Sequence, residues 1–200
     1  MIQIKNAAEL QKMRKACAIS AAALKAGGEA IEPGITTAEI DKIIYDFIVR
    51  HGARPNFLHL YGFPATACIS VNDTVIHGIP NKQQQIRPGD IVSIDTGCKI
   101  DGFNGDNACT YACGKIDLEA QRLLDVTKES LHRGIEMACG GNRVGDIGHA
   151  VQSYVEENGF SVVRTFVGHG VGKELHEDPE VPNFGNAGRS ASGAGHVHCR

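Results

Sequence analysis

The 200-residue sequence has no long apolar run, no excess of charge of one sign and no cysteine staple. Each absence removes a class of protein. No stretch approaches the roughly 18 consecutive apolar residues of a membrane-spanning helix, so no membrane attachment is expected. The opening MIQIKNAAELQKMRKA is too polar and too charged for the apolar centre of a signal peptide. Twenty basic against 23 acidic residues leave a formal net charge of -3, which offers no electrostatic footprint for nucleic acid. Seven cysteines, an odd number without a pairing pattern, suggest free thiols in a reducing cytosol. What is there, 42% hydrophobic and 22% charged residues, suits a soluble chain with a buried core. The length allows one or two domains at roughly 150 residues each. The 24 glycines are many, and the last fifteen residues, NAGRSASGAGHVHCR, do not read like the rest.

Helical and extended signals alternate along the chain. Asn6 reads as the cap of a helix through AAELQKMRKACAISAAALKAGGEAI, with Leu10, Met13, Cys17 and Leu24 at helical spacing. Pro33-Gly34 breaks the pattern. Thr37 then looks like the cap of a second helix whose stripe is Ile40, Ile43, Ile44, Phe47 and Ile48, with Gly52 as its stop. Short β-rich runs follow in ACISV, DIVSIDTG and ACTYA. Helical spacing returns in LEAQRLLDVTKESLHRGIEMA and GDIGHAVQSYVEENG, and FSVVRTFV predicts a further strand leading into GHGVGKELHEDPEVP.

The chain repeats itself. At an offset of 107, Leu24 meets Leu131, Gly27 meets Gly134, Ile40 meets Ile147, Phe47 meets Tyr154 and Gly52 meets Gly159. Two amphipathic helices can share a period by coincidence, but here the order helix, break, helix, glycine matches too. The repeat implies one domain built of two related halves. The first half is followed by a long strand region; the second has little chain left to build one.

Chemistry concentrates in a few places. Asp95 lies in an apolar strand, where a carboxylate is costly unless bonded, paired or metal-bound. Asp106 follows after KIDG, a hairpin signal. With Ile100-Asp101 as the loop, Asp95 faces Asp106; with Asp101-Gly102 as the loop, it faces Ala108 and Asp106 lies two residues along. Both registers put the two carboxylates on one face. A cation between them relieves their repulsion; alternatively, one Asp serves the turn or the sheet edge. His169 sits among glycines in VGHGVG, His176 follows seven residues later, and His77 stands in VIHGIP. His51, His59, His132 and His149 have no such context. Cys109 and Cys113 lack a second pair at zinc-ligand spacing, and GHGVG is no dinucleotide fingerprint.

IHGIP, the Asp95 and Asp106 pair around DTG, and FVGHGVGKELHEDPEVPNF together resemble type I methionine aminopeptidases of the bacterial kind, from the N-terminus to about Gly185. The resemblance implies an α+β pseudo-two-fold "pita-bread" fold, in keeping with the repeat. It implies two divalent metal ions (Co, Mn, Fe, Zn or Ni), with Asp95 binding one, Asp106 bridging both and His169 binding the second. It makes His77 and His176 the catalytic, substrate-side histidines and places Phe63, Cys68 and Leu175 around a methionine pocket. The implied function is removal of the N-terminal methionine from nascent polypeptides in the cytoplasm, by a monomer, with the ribosome as a candidate meeting place. Two other readings accompany it: a proline-specific aminopeptidase of the same superfamily, and a non-catalytic binder using the same groove. Retained Asp95, Asp106 and His169 argue against the second.

The family's two remaining metal ligands are downstream glutamates, and NAGRSASGAGHVHCR contains neither Asp nor Glu. The expectation is therefore a catalytic domain over 1–185 that is incomplete in its second half, and a disordered tail over 186–200. Weak metal binding and negligible turnover follow for this chain. Back-translated and shifted by one base, GAGHVHCR can read Pro-Gly-Met-Phe-Ile-Ala, which is similar to the family's approach to the first glutamate and points to a frameshift or truncation.

Overall fold

The computed structural model describes residues 2–189, which group into two compact bodies. The first comprises residues 5–117 together with 171–175. The second comprises the other described residues, 2–4, 118–170 and 176–189.

In the first body, α1 (Ala7–Glu29) and α2 (Thr37–Arg50) cover a four-stranded antiparallel sheet of β1 (Arg54–Pro55), β2 (Ala67–Val71), β3 (Ile91–Ile100) and β4 (Phe103–Ala112). Each helix starts in a reciprocal capping box, Asn6 with Glu9 and Thr36 with Glu39. The second cap is Thr36, one residue before the Thr37 that the sequence suggested. Thr36 stands three residues before Glu39, the spacing that a reciprocal box requires. Thr37 is instead fully buried, and its hydroxyl donates to the Asn81 carbonyl at 3.1 Å.

Alternation along β3 sorts its two faces. Val92, Ile94 and Cys98 are buried against Ile40, Ile44 and Ile48 of α2 and Ala23 and Leu24 of α1. The buried line of α1 is made of small residues, Ala16, Ser20, Ala23 and Gly27, rather than Leu10, Met13 and Cys17. Small side chains let α1 lie directly on β4: a methyl at Gly105 would stand 2.5 Å from the Ala16 carbonyl. The other face of β3 carries Ser93, Asp95 and Gly97.

The second body contains α3 (Leu118–Met137), α4 (Val144–Glu157) and the hairpin arms β5 (Gly168–Gly170) and β6 (Glu177–Val181). The repeat is visible inside each body. A methyl at Gly27 would meet Ile44 at 2.7 Å and Ile40 at 3.5 Å; one at Gly134 would meet Val151 at 2.9 Å and Ile147 at 3.5 Å. These neighbours are themselves 107 residues apart.

Residues 160–167, expected as a strand, belong to none. A β-rich apolar run needs a partner strand to bury it, and among the described residues no strand pairs with this segment. Val163, Phe166 and Val167 accordingly remain exposed. Asn186 to Arg189, expected within the disordered tail, form a turn on the start of α4. The Gly145 amide, in the first turn of α4 where amides lack an intrahelical acceptor, donates to the Arg189 carbonyl at 3.0 Å, and the Gly188 amide donates to Asp146 Oδ1 at 2.6 Å. The frameshift reading falls on GAGHVHCR, outside the described residues.

Candidate functional site

The β3–β4 turn is Asp101-Gly102, both left-handed, with φ of 52° and 84°, the geometry of a two-residue hairpin. This selects the second of the two registers: Asp95 faces Ala108, and Asp106 faces Gly97. Both carboxylates share one face, two residues apart in register. Burial, and then the charge of Asp106, pushes the Asp95 carboxyl up to about 7. A cation would reverse that shift, and hard oxygen donors carrying two negative charges fit a divalent ion. Among the described residues, no group of three or more His, Cys, Asp and Glu gathers closely enough to hold a metal. The carboxylate pair is therefore the nucleus of the site rather than a complete ligand set.

Neighbouring strands furnish the rest of this face. Cys68 on β2 pairs directly with Asp95. Burial first, then the charges of Asp95, Asp106 and Asp41, push its thiol up to about 12, so it stays neutral. Asp41 on α2 fixes the start of β2: its Oδ1 accepts the Thr66 amide at 2.9 Å and the Ala67 amide at 2.8 Å. His77 is exposed and left-handed, with φ of 58°. The next residue holds it at the outer edge of β2, since the Gly78 amide donates to Ser70 Oγ at 3.1 Å and its carbonyl accepts the Ile69 amide at 2.9 Å. Gly78 admits no side chain there, because a methyl would collide with the Ile69 carbonyl. Phe63 is half-buried and closes a tight turn with His59, whose amide donates to the Phe63 carbonyl at 2.8 Å. Phe57, which the sequence reading passed over, is buried beside Gly97 on the carboxylate face: a methyl on Gly97 would lie 3.4 Å from its ring.

Loop 171–175, which carries Leu175, lies on this face of the first body. Asn104 holds it through its backbone amide and its side chain. Asn104 was the other residue missed. Its signal was a large polar side chain two positions before Asp106, on the same face of the hairpin that KIDG predicts.

In the second body His169 and His176 sit at the two ends of the β5–β6 connection, with ring centroids 4.5 Å apart and planes at 72°. His169 Nδ1 lies 2.9 Å from the Gly170 carbonyl. A proton on Nδ1 donated there puts the lone pair on Nε2, the arrangement typical of a metal-binding histidine.

The model of metallopeptidase family M24 matches residues 11–197, twelve residues past the Gly185 at which the sequence resemblance was set. Methionine aminopeptidase of Clostridium perfringens is 53% identical over 189 residues, covering 94% of this chain and 76% of that protein. The chain belongs to the methionine aminopeptidases of family M24. Methionine aminopeptidase 1 of Bacillus subtilis is 46% identical over 185 residues. The crystal structure of the methionine aminopeptidase from Rickettsia prowazekii superposes with a TM-score of 0.93 at 38% identity, over 96% of this chain and 77% of that one. A methionine aminopeptidase chain of this kind has the pita-bread fold and is a metalloaminopeptidase. The prolidase of Pyrococcus furiosus, at 24% identity and a TM-score of 0.80, shares the fold alone.

Proposed function

We propose that this methionine aminopeptidase binds divalent ions weakly through Asp95, Asp106 and His169, at a site whose role in the family is to release the first methionine of newly made polypeptides with two such ions, and that this chain itself turns over negligibly. The observation that carries the reading is the carboxylate pair, two half-buried aspartates on one face of the hairpin and two residues apart in register, with Asp95 driven toward its neutral form. When bound, metal of this kind supplies an acidified water and polarises the scissile carbonyl. Oxygen and imidazole donors suit Co, Mn, Fe, Zn or Ni alike.

The chain's own residues do the remaining work. Asp95 and Asp106 neutralise and hold the cations, and His169 offers Nε2 while Nδ1 is engaged with Gly170. His77 and His176 contact the peptide bond and donate to the oxygen on which charge develops. Phe63, Leu175 and the neutral thiol of Cys68 form an apolar wall for the methionine side chain, since a protonated thiol behaves as a small hydrophobe. The substrate is the N-terminus of a nascent chain, met in the cytoplasm by a monomeric enzyme.

Metal binding tests the reading directly. Calorimetry should show Co²⁺ uptake by the chain and an affinity lower by more than about 100-fold in Asp106→Asn, since removing a ligand exceeds the loss typical of outer-shell changes. Release of Met from a Met-Ala-Ser peptide should be negligible with this chain, in which no Asp or Glu follows Glu180; release that a chelator abolishes would overturn that expectation. Equal Co²⁺ affinity in both proteins would overturn the assignment.

A further inference from the structure

Among the described residues, Asn104 is one of the largest fully buried side chains, although it is polar and lies two residues from a carboxylate. Its partners explain its burial. The side-chain amide donates to the Gly172 carbonyl at 2.9 Å and to the Lys173 carbonyl at 2.9 Å, while the backbone amide donates to the Gly172 carbonyl at 2.8 Å. Lys99, directly opposite Asn104 in the hairpin register, adds a bond from Nζ to the same Lys173 carbonyl at 2.7 Å. Beyond it, Lys173 Nζ meets Glu9 at 2.8 Å at the start of α1. Four hydrogen bonds thus grip two consecutive carbonyls, and three of the four come from one residue.

Backbone carbonyls as partners mean that the grip fixes the path of the loop, whatever its side chains. The path matters because of what stands at each end. His169 lies three residues before Gly172, and His176 lies three residues after Lys173. The loop turns tightly between them, with the Gly172 amide donating to the Glu174 carbonyl at 3.0 Å.

We propose that Asn104 is the positioning residue of the histidine pair, clamping the connection between His169 and His176 to the strand that carries Asp106. The proposal rests on the metal reading given above. Asn104 touches no reacting atom; it acts through the loop. Rigid support of this sort behind metal ligands typically changes metal affinity about 10–100-fold when lost.

Asn104→Asp tests the clamp, because it keeps the shape, removes both amide protons and turns a carboxylate toward two carbonyl oxygens. Lys99→Met is the milder companion, removing one bond from a half-buried position. Two readouts are taken on each: the ring resonances of His169 and His176 by NMR of metal-free protein, and Co²⁺ affinity by calorimetry. The expected result is shifted and broadened resonances of both rings with affinity about 10-fold lower or more in Asn104→Asp, and a smaller change of the same sign in Lys99→Met. If Asn104→Asp does not fold, Lys99→Met alone decides. Unchanged ring resonances and unchanged affinity overturn the clamp. A wild-type chain that binds Co²⁺ no better than Asp106→Asn overturns the metal reading instead, and the ring resonances then judge the clamp by themselves.

Discussion

Asp95 sets the pH behaviour of the metal-free chain. Its carboxyl is pushed up to about 7 in the folded protein, against about 3.9 for an unfolded aspartate. Between those values the folded state keeps a proton that the unfolded state has lost. The stability this supplies is fully present below about pH 4 and disappears as the pH rises through about 7. With chelator present, the urea midpoint should therefore fall from pH 5 to pH 8, and Asp95→Asn should lose most of that slope. An identical slope in the variant would sink the assignment. Asp41 makes a second residue-scale prediction. Asp41→Ala leaves the Thr66 and Ala67 amides without their acceptor and should cost about 2 kcal/mol in urea unfolding. Asp41→Asn keeps Oδ1 and drops a charge that burial disfavours, so it should cost less than about 0.5 kcal/mol.

At the scale of elements, the two halves diverge where a sheet covers one of them. Leu24 is 6% exposed, whereas its repeat partner Leu131 is 59% exposed. Gly28, where a methyl would collide with the Tyr111 ring of β4, corresponds to Ile135, which is 58% exposed. Glycine stands where a strand lies close, and a large side chain stands where none does. Leu24→Ala should accordingly cost about 3 kcal/mol and Leu131→Ala less than about 0.5 kcal/mol. Equal costs would mean that the face of α3 is covered in solution. The helices, the hairpin and the repeat were legible in the sequence because each has a local cause: a cap, a two-residue turn, a periodic stripe. The shared face of Asp95 and Asp106 was legible for the same reason, since alternation fixes it in either register. Residues 160–167 were misread because a strand needs a neighbour, and β-rich composition says nothing about whether one exists. Asn104 escaped because its partners lie 68 and 69 residues away, and no local pattern announces a bond over that distance.

At the scale of the molecule, the two bodies differ in how much they bury. The first has a continuous core running from Ala23 to Cys113, including Ile40, Ile44, Ile48, Ile69 and Ile94. In the second, Val126, Val144 and Val155 are the buried hydrophobic residues among those described. Local opening follows the density of buried apolar contacts, so amides of α3 and α4 should exchange with deuterium faster than those of α2 and β3. Equal protection, measured by mass spectrometry, would contradict this. The cysteines add a practical consequence. All six described cysteines are free thiols, and only Cys109 on β4 and Cys139 after α3 are exposed. Burial, as the leading cause, raises the titration of Cys17, Cys68, Cys98 and Cys113, keeping them as slow-reacting thiols. With Cys199, which lies outside the described residues, replaced by serine, a maleimide dye should reach one site on each body. The unaltered pair Cys109 and Cys139 is then a built-in ruler, and energy transfer between two dyes would report in real time whether the bodies move when metal or peptide arrives.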